Sequence, residues 1–108
     1  MEKCMPSEMI GFVKAELGQE ELLCQLAEEA SELAQAALKL RRVYDGKNPT
    51  PVTEEEALEN LREEIADVWL VLDALEMNKE FIRYGKAMNR KTERWYNRIK
   101  KSMKKNGK

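Results

Sequence analysis

Histidine is absent from the 108 residues. That removes imidazole bases, His-ligated zinc and the Glu-x-x-His pairs of di-iron bundles. Any chemistry must come from carboxylates, amines, guanidinium groups and hydroxyls. With five Gly and three Pro, the chain has too little turn punctuation for an all-β fold. The two cysteines, Cys4 and Cys24, fit no metal or redox spacing, and a reduced, cytoplasmic setting is the expectation. No apolar run is long enough to span a bilayer, and the N-terminus lacks the basic-then-apolar layout of a signal peptide. Neither sign of charge dominates: 19 Lys+Arg against 20 Asp+Glu leave a net −1, which does not mark the whole molecule as a nucleic-acid binder.

What is present is helix-forming. Leu, Ala, Glu and Lys dominate, and the length suits one domain, 1–108, with one core and little surplus. Residues 1–6 read as loose. Pro6-Ser7 opens a short helix with Ser7 as its cap, and Gly18 ends or bends it. A long helix over about 19–44 carries Leu22, Leu26, Leu33, Ala37 and Leu40 on one face. Asp45-Gly46-Lys47-Asn48-Pro49-Thr50-Pro51 stops it. Thr53-Glu54-Glu55-Glu56 is a capping box in which Glu56 reaches back to the Thr53 backbone N–H. The helix it opens carries Leu58, Leu61, Ile65, Val68, Trp69 and Leu72. It is apolar all round from Val68 to Leu72, the mark of burial on more than one side, with Trp69 as core. Asn78 reads as the next boundary and cap. The last helix, about 79–101, has a point for a bend at Gly85 and core positions Phe81, Ile82, Met88, Trp95 and Ile99, and 102–108 reads as a frayed tail. The expected fold is an all-α antiparallel helical bundle that completes its core by oligomerising.

Two acidic segments stand out against this frame, Glu28-Glu29-Ala30-Ser31-Glu32 and Glu64-Ile65-Ala66-Asp67. Residues three and four apart share a helix face, so Glu29 neighbours Glu32 and Glu64 neighbours Asp67. Glu29 falls within the Leu22–Leu26–Leu33 stripe, Glu32 on its border, Glu28 farther toward solvent, and Asp67 inside an apolar run. A solvated face accounts for Glu54, Glu55, Glu56, Glu59 and Glu63. It accounts poorly for Glu29 and Asp67, because a buried charge needs a partner. Four carboxylates converging from two helices would repel and raise one another's pKa values, and a divalent cation removes that cost. An all-oxygen donor set points to Mg²⁺ or Mn²⁺ rather than zinc.

The flanks of these motifs, Leu26-Ala27 and Leu33-Ala34 around the first and Val68 after the second, extend the pattern. Lys91-Thr92-Glu93-Arg94, preceded by Asn89, adds a third element on the last helix. In this order the chain resembles the MazG-like nucleotide pyrophosphohydrolases of the all-α NTP pyrophosphatase superfamily, over roughly residues 19–98. The resemblance implies Mg²⁺-dependent cleavage of a nucleoside triphosphate, ribo- or deoxyribo-, between the α and β phosphates. It implies Glu29, Glu32, Glu64 and Asp67 as metal ligands, Glu28 with Glu29 and Glu64 in catalysis, and Lys91, Arg94 and Asn89 at the phosphates. Separately from the resemblance, so small a bundle with a helix apolar all round is expected to form a homodimer or homotetramer. The long stretch between the two acidic motifs departs from the pattern and is expected to be a surface loop.

Two other readings stay open at this stage. A non-catalytic interaction module would keep its acids on the surface, and a nucleotide-binding member would have the fold but little activity. The basic last helix alone invites nucleic acid, but the acidic first two helices oppose it. Trp69, Tyr84, Trp95 and Tyr96 are the aromatics able to stack on a base, although at helical spacing aromatics are more often core.

Overall fold

The computed structural model describes residues 6–47 and 49–107; Cys4 and Asn48 lie outside them, as does the stretch expected to be loose, 1–6, except Pro6, which is helical. Three helices, α1 (Pro6–Asp45), α2 (Glu54–Ala74) and α3 (Phe81–Lys105), make up the described fold. No strand occurs among the described residues, so the chain is all-α. It forms two compact units, Met1–Asn78 and Lys79–Lys108.

In the first unit, α1 and α2 form an antiparallel hairpin. Lys14 near the start of α1 pairs with Glu76 just past the end of α2, so rising numbers on one helix meet falling numbers on the other. Gly18 breaks α1 into two segments with φ 78° and ψ 169°, a conformation open essentially to glycine alone. The bend expected there is present. Pro6, rather than a residue after Ser7, is the first helical position; its fixed φ suits that place and its missing N–H costs nothing there. Gly46, with φ 69°, donates its N–H to the Arg42 carbonyl and closes the C-terminus of α1.

Thr53 caps α2 by accepting the Glu56 N–H at 3.1 Å. The return arm differs from the capping-box expectation: Glu56 Oε1 accepts from the Thr53 hydroxyl, not from its backbone N–H. At the other end the Met77 and Glu76 N–H groups reach the Leu72 and Asp73 carbonyls, with Glu76 at φ 59°. This is the Schellman arrangement with a non-glycine in the left-handed position, so no glycine announces the helix end. Asn78 does not cap the next helix. Its Nδ2 donates to Asp73 Oδ1 at 3.2 Å, and the N-cap of α3 is Glu80, which makes no side-chain capping bond.

The hairpin core is small and alanine-rich: Leu22, Ala36 and Leu40 from α1 meet Ala57, Val71 and Ala74 from α2. Ala36 takes the place expected for Ala37, because steps of four, three, four, three and four residues from Leu22 pass through 26, 29, 33, 36 and 40. The alanines let the two backbones approach closely, which brings the intervening side chains of the two stripes together. Trp69 is 56% exposed, and Ile65 and Leu70 are also exposed, contrary to the core role expected for Trp69. A two-helix hairpin buries one stripe of α2, and the rest of an all-round apolar segment must face outward.

The second unit is α3, continuous through Gly85 and extending to Lys105, past the expected end near 101. Phe81, Met88, Trp95 and Ile99 share one face, while Arg83, Arg90, Arg94 and Arg98 lie around the other. None of its residues is buried; the positions expected as core (Phe81, Ile82, Met88, Trp95, Ile99) are exposed. An amphipathic helix described by itself has nothing to seal its apolar stripe. Residues 79–108 hold 12 of the 19 basic and 2 of the 20 acidic side chains, a net +10 against −11 for residues 1–78.

Candidate metal centre

Positions 22, 26, 29, 33, 36 and 40 of α1 and positions 57, 60, 64, 67, 71 and 74 of α2 run along the facing stripes of the hairpin. Glu29, Glu64 and Asp67 occupy slots that the helical period reserves for core residues, and Glu32 borders the stripe. Antiparallel pairing then sets these four side chains opposite one another. One carboxylate oxygen from each of Glu29, Glu32, Glu64 and Asp67 lies within 4.8 Å of the others. The structure brings together the four residues expected as ligands.

Three of the four are half-buried and Glu32 is exposed. Gln25, one turn before Glu29, donates from Nε2 to Glu29 Oε1 at 2.9 Å. Glu29 Oε2 and Glu64 Oε2 are buried and have no hydrogen-bond partner. The Glu64 carboxyl is raised above its ordinary value by burial first, then by the charges of Glu32, Asp67 and Glu29, and by a hydrogen bond with Glu32. Among the described residues nothing donates to those two buried oxygens, a costly state for acceptors.

These features fit a hard cation. Oxygens on opposite sides of Mg²⁺ stand about 4.2 Å apart at a bond length of about 2.1 Å. The 4.8 Å spread needs only about half an ångström of closure to meet that. Gln25 would fix the orientation of Glu29 while leaving its Oε2 available, the usual work of a group behind a ligand. Its signal in the sequence was the four-residue spacing to Glu29 on the same face, which the acidic motifs overshadowed.

Glu28 is exposed and outside the cluster; it lines a shallow open depression with Ser31 and the edge residue Glu32. Asn89, Lys91 and Arg94 belong to the second unit and are exposed on α3. Trp69 stands two positions beyond Asp67, about 200° around the helix, and so points away from the carboxylates of its own hairpin. Tyr84, Trp95 and Tyr96 are exposed on α3, with Lys100 Nζ 5.7 Å from the Tyr96 ring centroid. No helix among the described residues is long and apolar enough to cross a membrane. Compared with protein-family models, with curated proteins and with solved structures, the chain finds no match.

Proposed function

We propose that this chain is a Mg²⁺-dependent nucleoside triphosphate pyrophosphohydrolase, splitting a (deoxy)nucleoside triphosphate and water into the monophosphate and pyrophosphate. The observation that carries the reading is the cluster of four carboxylates in core slots of two helices, with two buried oxygens left without partners. Each acid of such a cluster adds repulsion and desolvation, a cost that a bound divalent cation offsets.

Under this reading Glu29, Glu32, Glu64 and Asp67 hold the ion, and Gln25 orients Glu29. When bound, Mg²⁺ neutralises phosphate charge and lowers the pKa of a bound water. Glu28, exposed beside the cluster, with Glu29 and Glu64, supplies the carboxylate acceptors for the proton of the attacking water. Lys91 and Arg94, with Asn89, are the donors that the family resemblance assigns to the triphosphate, where charge builds on the leaving pyrophosphate. The exposed apolar face of α3 and the outward Ile65 and Trp69 favour a homodimer or homotetramer that covers them.

The test is pyrophosphate release from a panel of ribo- and deoxynucleoside triphosphates, with Mg²⁺, with Mn²⁺ and with chelator. Chelator-sensitive formation of pyrophosphate and monophosphate supports the reading, and Asp67→Asn must abolish it with helical content retained. Release of single phosphate refutes the bond assignment. Metal binding with no turnover reduces the protein to a nucleotide-binding member, and no metal binding leaves only an interaction module.

A further inference from the structure

Next to the carboxylates the hairpin carries a groove of about 450 Å³ whose lining is divided by charge. Glu32 and Glu64 of the cluster form one end, Gln35 and Asn60 follow, and Lys39 and Arg42 stand beyond them. The order comes from the helices themselves. Lys39 is seven residues after Glu32, about 10 Å along α1, and Arg42 is about another turn on. Asn60 is four residues before Glu64, and because α2 runs the other way it advances in the same direction as Gln35.

Lys39 is half-buried, yet neither it nor Arg42 forms an ion pair among the described residues. The groove thus holds uncompensated anions at one end and uncompensated cations at the other, with amide donors between them. A cation alone leaves the half-buried Lys39 and the exposed Arg42 without an anionic partner in the groove, and an anion alone is repelled by the carboxylates. A divalent cation carrying phosphate groups satisfies both ends. A nucleobase fits the lining less well, because no aromatic side chain is there to stack on it.

We propose that this groove is a phosphate-binding subsite, in which Lys39 and Arg42 grip the phosphate oxygens of a metal-bound polyphosphate and the Gln35 and Asn60 amides donate between them. The proposal rests on the metal reading above and deepens it. It adds cationic ligands from the hairpin itself to those that the resemblance placed on α3, and it sets the direction in which the phosphate chain leaves the ion: toward the loop end of the hairpin.

The experiment is calorimetric titration of the full chain with Mg²⁺ alone, and with inorganic pyrophosphate in the presence of Mg²⁺. The comparison is with Lys39→Met and Arg42→Gln, which keep much of the aliphatic stems and so spare the packing. Each substitution weakens Mg²⁺–pyrophosphate binding about tenfold, the usual scale for a charge-assisted hydrogen bond. Affinity for Mg²⁺ alone stays near the wild-type value, and Lys39→Arg restores most of the pyrophosphate affinity. Wild-type pyrophosphate affinity in both variants, with Mg²⁺ binding intact, overturns the subsite and leaves the metal reading standing. The same is true if pyrophosphate binding is unchanged but the ranking of nucleoside triphosphates by base shifts, which makes the groove a nucleoside pocket. A wild-type chain that binds no Mg²⁺ removes both readings together.

Discussion

Chelation and refilling of the carboxylate cluster provide a thermodynamic test that does not depend on finding the substrate. Burial, and the carboxylates gathered within 4.8 Å around it, hold the Glu64 carboxyl above its ordinary pKa in the metal-free fold. The folded chain therefore holds more protons than the unfolded chain between the ordinary carboxylate range and the raised value. Glu64's contribution to stability is complete below the unfolded pKa and is lost as pH rises through the folded one. Glu64 should therefore cost metal-free protein stability as pH rises above the ordinary carboxylate range, the reverse of the usual carboxylate trend. Mg²⁺ at about 100 times its Kd adds about 2.7 kcal/mol. At about 4–8 °C per kcal/mol for a domain near this size, Tm rises by about 10–20 °C at neutral pH. The gain shrinks toward the acidic end, where protons compete for the same oxygens. Helical circular dichroism followed through thermal unfolding, in chelator and in Mg²⁺ at matched ionic strength, reads the effect directly. Glu64→Gln should raise Tm in chelator and remove the Mg²⁺ response. A Tm that is the same in chelator and Mg²⁺ at neutral pH, or a Mg²⁺ response that survives in Glu64→Gln with Asp67→Asn, refutes the argument.

Three further outcomes follow from the fold. Gly18→Ala, forced into φ 78° and ψ 169°, should cost about 1–3 kcal/mol in urea unfolding, and a neutral effect would show that α1 is able to straighten. Leu22→Ala should cost about 2–5 kcal/mol, while Leu23→Ala, at the exposed neighbouring position, should cost far less; equal losses would contradict the assigned stripe. Lys91→Ala with Arg94→Ala should raise the KM for nucleoside triphosphates, leaving the Mg²⁺ shift in Tm intact; steady-state kinetics that show no change would remove these residues from the phosphate role.

Much of the hairpin was legible in the sequence because its signals are local. Thr53 ahead of three glutamates, the Gly46-to-Pro51 break and the isolated Gly18 each act within one turn of chain. The candidate ligand set was legible for a related reason: the 3.6-residue period alone puts Glu29, Glu64 and Asp67 where core residues belong. What periodicity cannot supply is the number of surfaces that meet a helix. It marked Trp69 and the apolar face of α3 as core, and both are exposed within this chain. It also pointed to Ala37 where the stripe passes through Ala36.

The sequence by itself determined that the chain is helical, where α1 stops and α2 starts, and which acids sit on an apolar stripe, because each of these depends on neighbours within a few residues. The tertiary structure decided the rest. Antiparallel packing, made close by Ala36, Ala57 and Ala74, set Glu29 and Glu32 against Glu64 and Asp67 across about 35 residues of intervening chain. The same packing left two buried oxygens without partners and joined the acids to Lys39, Arg42 and Asn60 in one groove. Charges so far apart in sequence acquire a shared energy only when the fold brings them within a few ångströms, where Coulomb attraction and repulsion become large.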